Sequence, residues 1–250
     1  MAAAMVEGGD GQRRTKKKKL AAGEASVGGG RWPLVRPKLD LQITRLKGDD
    51  LFTVPNYLTP HEVKGFIEAA ESSGFSHQGS LGPARGEAYR DNDRISLNDP
   101  ELAKCIWESG LDKVFSSIKL QGRSAVGLNP NIRFYRYKVG QRFGRHIDES
   151  VDLGRGRKTQ YTLLIYLSGR RAAPGERNDP RRGGGDPSPP SALVGGETVF
   201  YDDRRGTVAE VAPAEGMALV HIHGGRCMLH EARAVVKGTK YILRSDVVFA

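Results

Sequence analysis

Cysteine is scarce: Cys105 and Cys227 are the two in 250 residues. Neither belongs to a C-x-x-C pair, so a zinc ribbon is not expected, and two thiols make no disulfide framework. They read as reduced thiols of an intracellular protein. Long apolar runs are also missing. Nothing approaches the roughly 20 residues that cross a bilayer, so no membrane association is expected. The first residues lack an apolar stretch of signal-peptide type, so the chain is not expected to be secreted. The expected location is nuclear or cytoplasmic. Acidic residues are in deficit: 39 Lys and Arg against 29 Asp and Glu leave a net charge of +10.

The most compact run of that charge is Arg13-Arg14-Thr15-Lys16-Lys17-Lys18-Lys19. Such a cluster suits a nuclear import signal and can touch nucleic acid. A transit peptide is the weaker reading, because Ser and an amphipathic Arg pattern are scarce. Residues 1–30 are rich in Gly, Ala and Lys and read as a disordered basic tail. Residues 31–250 are long enough for one domain with a sizeable core. Within them, 169–195 carries five Pro, six Gly and five Arg in 27 residues. It reads as a disordered insertion between two strands.

From Leu51 the pattern becomes globular. Leu51 to Val54 reads as a short strand. Thr59 or Pro60 opens a helix that presents Val63, Phe66, Ile67 and Ala70 on one face and stops at Gly74. A second helical stretch runs from about Asp99 to Ile118, with Asn98 or Asp99 as cap and Pro100 in its first turn. Gly110 should divide or bend it. Strands are expected at 131–138, 142–148, 160–167, 197–201, 207–211, 217–222 and 240–249. Helices followed by many antiparallel strands argue for an α+β fold, with the helices packed on a β-sandwich.

The segment Arg145-His146-Ile147-Asp148 puts a histidine and a carboxylate two residues apart, and His230 follows later. Two histidines and one carboxylate can hold one face of a ferrous ion and leave three positions open. Alternate residues of a strand share a side, so His146 and Asp148 can reach one ion from a single strand. His221 and His223 form a rival same-face pair. The bland alternatives are a His–Asp hydrogen bond in a surface loop and a buried His230 bonded to backbone. His61 and His77 fall in the helical part and read as ordinary packing or surface residues.

Three segments extend the motif: Asn131 to Phe143, then Gly195-Gly196-Glu197-Thr198-Val199-Phe200, then His230 to Tyr241. In this order they resemble the 2-oxoglutarate and Fe(II)-dependent dioxygenases, of the prolyl 4-hydroxylase catalytic-domain type. The His230–Lys240 segment is also similar to the end of lysyl hydroxylase domains, which carry Arg where this chain has Lys240. The resemblance covers residues 51 to 249, with a break at about 169–194. It implies a double-stranded β-helix, or jelly roll, with N-terminal supporting helices and iron near one open end. It implies His146, Asp148 and His230 as the iron ligands, since His230 and not His221 is followed by a cation at +10.

The resemblance further implies that Lys240 meets the distal carboxylate of 2-oxoglutarate, because a buried ammonium needs an anion. Arg244, on the same face by alternation, is the rival anchor or a partner for Asp148 or Asp246. Tyr137 and Tyr166 are candidate hydroxyls near the cosubstrate, or else core aromatics with a hydroxyl at the rim. Gly195 and Gly196 allow a tight bend, and Glu197 beside Thr198 reads as structural. Asn92 and Arg94 are placed in a loop that lines the substrate groove. The implied activity is hydroxylation of a C–H bond on a protein or peptide side chain, with Fe(II), 2-oxoglutarate and L-ascorbate. The rivals are a nucleic-acid demethylase of the same superfamily and a β-sandwich binding module without turnover.

Overall fold

The computed structural model describes residues 32–80, 87–171, 193–204 and 206–250. In chain order, strands β1 (Thr44–Lys47) and β2 (Leu51–Val54) lead into helix α1 (Pro60–Ser73). Strands β3 (Ser76–Gly79) and β4 (Asp91–Asn98) follow. Next come α2 (Pro100–Ile106), a π-helical turn (Trp107–Leu111) and α3 (Asp112–Val114). The next strands are β5 (Lys119–Leu120), β6 (Arg123–Leu128), β7 (Asn131–Tyr137), β8 (Phe143–His146), β9 (Asp152–Gly154) and β10 (Arg157–Tyr166). The last are β11 (Val194–Gly195), β12 (Thr198–Tyr201), β13 (Thr207–Val211), β14 (Ala218–Ile222), β15 (Leu229–Ala232), β16 (Val235–Lys237) and β17 (Lys240–Phe249).

Helix α1 starts where Thr59 and Glu62 exchange caps. The Glu62 N–H donates to Thr59 Oγ1 at 3.3 Å, and the Thr59 N–H donates to Glu62 Oε2 at 2.8 Å. This capping box satisfies two donors that a helix start leaves orphaned. Glu62 also accepts from the Arg36 N–H and from Lys38 Nζ, which ties the incoming segment to the helix. Gly74 ends the helix at φ 78°. In the second stretch Asp99 caps α2 by accepting from the Leu102 N–H. Gly110, at φ 135°, breaks the helical path as expected.

Every pairing between these strands is antiparallel. The large sheet runs β1-β2-β14-β10-β17-β7-β4-β3, and a small sheet runs β13-β12-β15-β8. Alternation decides what each strand of the large sheet shows to either side. Tyr161, Leu163 and Ile165 of β10, Val220 of β14, and Phe134 of β7 meet the helices through Val63, Phe66, Ile106 and Phe115. On the other face Tyr166, Leu219, Tyr137 and Ile242 meet Phe200 of the small sheet. With both faces covered, all five residues of β14 are buried. The architecture is therefore mostly antiparallel sheet, with few helices and an interior between two sheets, which is jelly-roll-like. Among the described residues, no helix is long and apolar enough to cross a membrane.

Several expectations shift. The strand expected over 142–148 ends at His146, so Asp148 lies just past it, although exposed Ile147 between two inward residues preserves the alternation. Asn92 and Arg94 are on strand β4, not in a loop, and Asn92 is fully buried. His77 is on β3 rather than in a helical part. The expected tail, residues 1–30, lies outside the described residues, as does 172–192 of the expected insertion. The ends of that insertion are ordered pieces of the fold: the Arg170 N–H donates to the Pro213 carbonyl, and β11 pairs with β16.

Gly216 shows how closely the connections pack. It sits at φ +78°, and a Cβ there would lie 2.2 Å from the Leu58 carbonyl oxygen. That backbone cannot swing away, because the Leu58 N–H donates to the Gly216 carbonyl at 2.9 Å. Gly216→Ala is expected to cost at least about 1–3 kcal/mol from the left-handed conformation alone. A lowered denaturant midpoint at unchanged slope would show it.

Candidate metal centre

Strands β8 and β15 pair with His146 directly opposite His230. The imidazole centroids lie 4.2 Å apart. Asp148 brings its carboxylate to the same point. His146 Nε2 is 3.8 Å from Asp148 Oδ1, and His230 Nε2 is 3.7 Å from Oδ2. One ligand atom from each of the three lies within 4.8 Å of the others.

The ring nitrogens are sorted by their backbone partners. His146 Nδ1 lies 2.8 Å from the Gly144 carbonyl, and His230 Nδ1 lies 2.9 Å from the Met228 carbonyl. A carbonyl only accepts, so each Nδ1 carries the proton and each Nε2 turns a lone pair toward the carboxylate. Burial, with His230 nearby, pushes His146 down to about 3, and burial also lowers His230. Burial would raise Asp148, but the Arg244 guanidinium outweighs it and holds the carboxyl well below its usual range. Neutral imidazoles and an ionised carboxylate are the states that metal ligation requires. Two nitrogens and one oxygen converging here fit a ferrous ion.

Asp148 is held from several sides. Arg244 Nη2 lies 3.0 Å from its Oδ1. On the other oxygen, Thr162 Oγ1 donates at 2.8 Å. Thr162 in turn meets His223 Nδ1 at 3.0 Å, and His223 Nε2 meets Thr159 Oγ1 at 3.1 Å. His223 is therefore part of a chain that aims the carboxylate, not a ligand. Arg244 also faces Asp246 at 3.5 Å. Its ion pairs are thus with Asp148 and Asp246, the two carboxylates expected as its partners. Thr159, Thr162 and His223 were not foreseen as supports of the carboxylate, since they contribute single hydroxyl or imidazole groups and form no spaced motif.

Lys240 begins the same strand that carries Arg244, four residues away and on the same face. Its side chain is fully buried. Nζ donates to the Gly196 carbonyl and lies 5.5 Å from the ring centroids of both Tyr137 and Tyr166. The Tyr166 hydroxyl is 2.7 Å from Thr198 Oγ1. Gly196 is needed here: at φ +75° a Cβ would lie 2.9 Å from Lys240 Cδ. Burial pushes the ammonium down to about 7, against the opposing charge of Glu197. Among the described residues no carboxylate lies within ion-pair distance of Nζ. The structure thus gathers Lys240, Tyr137, Tyr166 and Thr198 into one buried group. His61 is an exposed residue of α1, and His77 pairs with Asp93; both stand apart from the centre.

A cavity of about 970 Å³ opens onto His146 and Asp148. Arg90, Phe143, Arg145 and Leu229 help to line it. Phe143 stacks on the His146 ring with centroids 3.7 Å apart, and the Arg90 guanidinium lies 4.1 Å from the Phe143 centroid on another side.

No family model matches the chain, and no curated protein matches its sequence. Solved structures do. A prolyl hydroxylase from Trichoplax adhaerens, in complex with a hypoxia inducible factor oxygen degradation domain peptide fragment, is 17% identical at a TM-score of 0.53. That match covers 80% of this chain and 84% of the other. The viral collagen prolyl hydroxylase of Paramecium Bursaria Chlorella virus-1, in a 2OG complex, is 18% identical at a TM-score of 0.50. It covers 81% of this chain and 97% of that one. The chain has the fold of these hydroxylases.

Proposed function

We propose that this protein is an Fe(II)- and 2-oxoglutarate-dependent dioxygenase that hydroxylates a C–H bond on a protein or peptide side chain. The observation that carries the reading is Lys240. A fully buried ammonium with no acidic partner at ion-pair distance among the described residues shares a strand face with the arginine that grips Asp148. The carboxylate of a bound 2-oxo acid would complete that pairing. His146, Asp148 and His230 would hold the iron, with Arg244 and Thr162 fixing the carboxylate. Iron with 2-oxoglutarate and oxygen would supply the oxidising power and yield succinate and CO2. The residues of this chain orient those partners and keep water out. Lys240 neutralises the far carboxylate, and the Tyr166–Thr198 hydroxyl pair lies beside it. L-ascorbate is the proposed reductant that keeps the iron ferrous.

The substrate would enter through the cavity at His146 and Asp148. Both solved relatives are prolyl hydroxylases, and one holds a peptide, so a peptidyl proline is the first substrate to test. The assay is succinate release from 2-oxoglutarate by the iron-loaded full chain. Peptide libraries can then be searched by mass spectrometry for products heavier by one oxygen. Succinate release is the expected result. Its absence with iron and 2-oxoglutarate bound would instead assign the fold to a binding role.

The basic cluster suits a nuclear location within this reading. Replacing Lys16 to Lys19 with Ala is expected to shift a fluorescent fusion toward the cytoplasm. An unchanged distribution would remove the import signal from the reading.

A further inference from the structure

The iron set leaves one inward side chain unused. His221 on β14 is fully buried, and its Nε2 has no hydrogen-bond partner among the described residues. Its Nδ1 lies 3.2 Å from the Ile222 carbonyl, which marks Nε2 as the nitrogen with a free lone pair. That nitrogen looks into the site: it is 3.7 Å from Asp148 Oδ2, and its ring centroid is 4.6 Å from that of His230. Buried polar atoms without partners are uncommon and call for an explanation.

Cys227 supplies one. It follows the 3-10 turn Gly224–Arg226, where the chain passes from the large sheet to the small one. That turn folds the segment 221–230 back on itself. One donor atom each from His221, Cys227 and His230 then lies within 4.8 Å of the others. Asp148 Oδ2 stands beside both imidazoles, 3.7 Å from each Nε2. A set containing sulfur selects differently from one containing only nitrogen and oxygen. Thiolate and imidazole suit zinc-class ions, while carboxylate-rich sets suit harder ions such as manganese.

We infer that His221, Cys227 and His230 form a second metal site for a thiophilic divalent ion of the zinc class. It shares His230 with the iron ligands, so the two ions exclude one another. Binding replaces the Cys227 thiol proton, which leaves to solvent. A soft ion seated there withdraws His230 from the iron set and would act as an inhibitor. The soft site stands on its own geometry; only the exclusion rests on the iron reading.

Cd²⁺ is a suitable probe, because thiolate-bound Cd²⁺ absorbs in the near ultraviolet and Mn²⁺ does not. Titrating the metal-free full chain with Cd²⁺ is expected to give absorbance that saturates at one equivalent. The absorbance should vanish in Cys227→Ser and in His221→Ala, and persist in Cys105→Ser and His146→Ala. Circular dichroism verifies each fold, and Cys227→Ser, a single-atom change at a half-buried position, carries the test if His221→Ala does not fold. Absorbance that survives Cys227→Ser, or none in the folded parent, overturns the site. In a second arm the protein is preloaded with Mn²⁺, and Cd²⁺ should release it one for one, as read by paramagnetic resonance. Cd²⁺ absorbance without Mn²⁺ release overturns the sharing of His230. Cd²⁺ absorbance in a protein that never bound Mn²⁺ upholds the soft site and counts against the iron reading.

Discussion

Lys240→Ala is expected to weaken 2-oxoglutarate by about a hundredfold or more, because losing one partner of a buried charge pair costs on the order of 3–5 kcal/mol. Calorimetry with Mn²⁺ in place of iron measures this without turnover. The ion itself should still bind, since none of its proposed ligands lies on β17. Arg244→Ala should behave differently. Arg244 lies against Asp148, and the loss of such a supporting contact weakens a metal by about 10–100-fold. If Arg244→Ala loses 2-oxoglutarate and Lys240→Ala does not, the anchor is Arg244. Lys240→Arg should be partly tolerated, in keeping with the arginine of lysyl hydroxylase domains.

The same lysine predicts a pH dependence. Burial pushes its ammonium down to about 7 in the ligand-free protein, so the charged form prevails below that pH and fades above it. An anionic ligand stabilises the charged form. Affinity should therefore fall as pH rises through about 7, and binding above that point should take up a proton. Calorimetry in two buffers of different ionisation heat reads the proton directly. Lys240→Arg should flatten the profile, because arginine stays charged across this range. A flat profile in the parent protein would mean that the ammonium already has an anionic partner.

His230→Ala is expected to abolish metal binding and 2-oxoglutarate turnover while the far-ultraviolet dichroism stays native. The loss should exceed that of Arg244→Ala, because a ligand atom is removed rather than its support. Mn²⁺ paramagnetic resonance and succinate release measure the two effects. Full activity in His230→Ala together with loss in His221→Ala would move the third ligand to β14.

The convergence of His146, Asp148 and His230 was legible because their pattern is local or chemically rare. His146 and Asp148 advertise themselves by spacing, and Lys240 by its place ten residues after His230. Helix α1 was legible from its apolar face, and the break in the second helical stretch from Gly110. Strand β4 was not. Its sequence Asp-Asn-Asp-Arg-Ile-Ser-Leu-Asn lacks an apolar alternation, and it is held partly by charge. Asp93 pairs with Arg136 at 2.8 Å, and that arginine also reaches Glu71. Such a strand is specified by its partners in β7 and α1, which no reading of its own residues reveals. The Thr159–His223–Thr162 chain was hidden for the same reason: its members come from β10 and from just beyond β14, and meet only after β10 and β14 pair. Cys227 looked inert because a lone thiol has no spacing to read.

The small sheet has an asymmetry that bears on how the proposed metal would act on the protein's stability. Strand β8 is the last strand of that sheet, next to β15, and on its other side it is bridged at its start to Tyr89–Asp91: the Gly144 N–H donates to the Tyr89 carbonyl, and the Asp91 N–H to the Arg142 carbonyl. It is four residues long, and its register with β15 is irregular beyond the His146–His230 pair. Short terminal strands with few backbone hydrogen bonds belong to the less protected parts of a fold and open without global unfolding. Without a bound ion the His146 end of β8, past the Gly144–Tyr89 hydrogen bond, is thus the part of the strand that opens most readily, and Asp148 with it. An ion held by His146, Asp148 and His230 stitches that edge to β15 by coordinate bonds where the amide ladder is thinnest. Because it binds only the closed arrangement, its stabilisation grows with free-ion concentration and falls chiefly on this strand. Metal loading should thus show up in amide exchange as protection concentrated at Phe143 to Asp148, with the large sheet hardly changed.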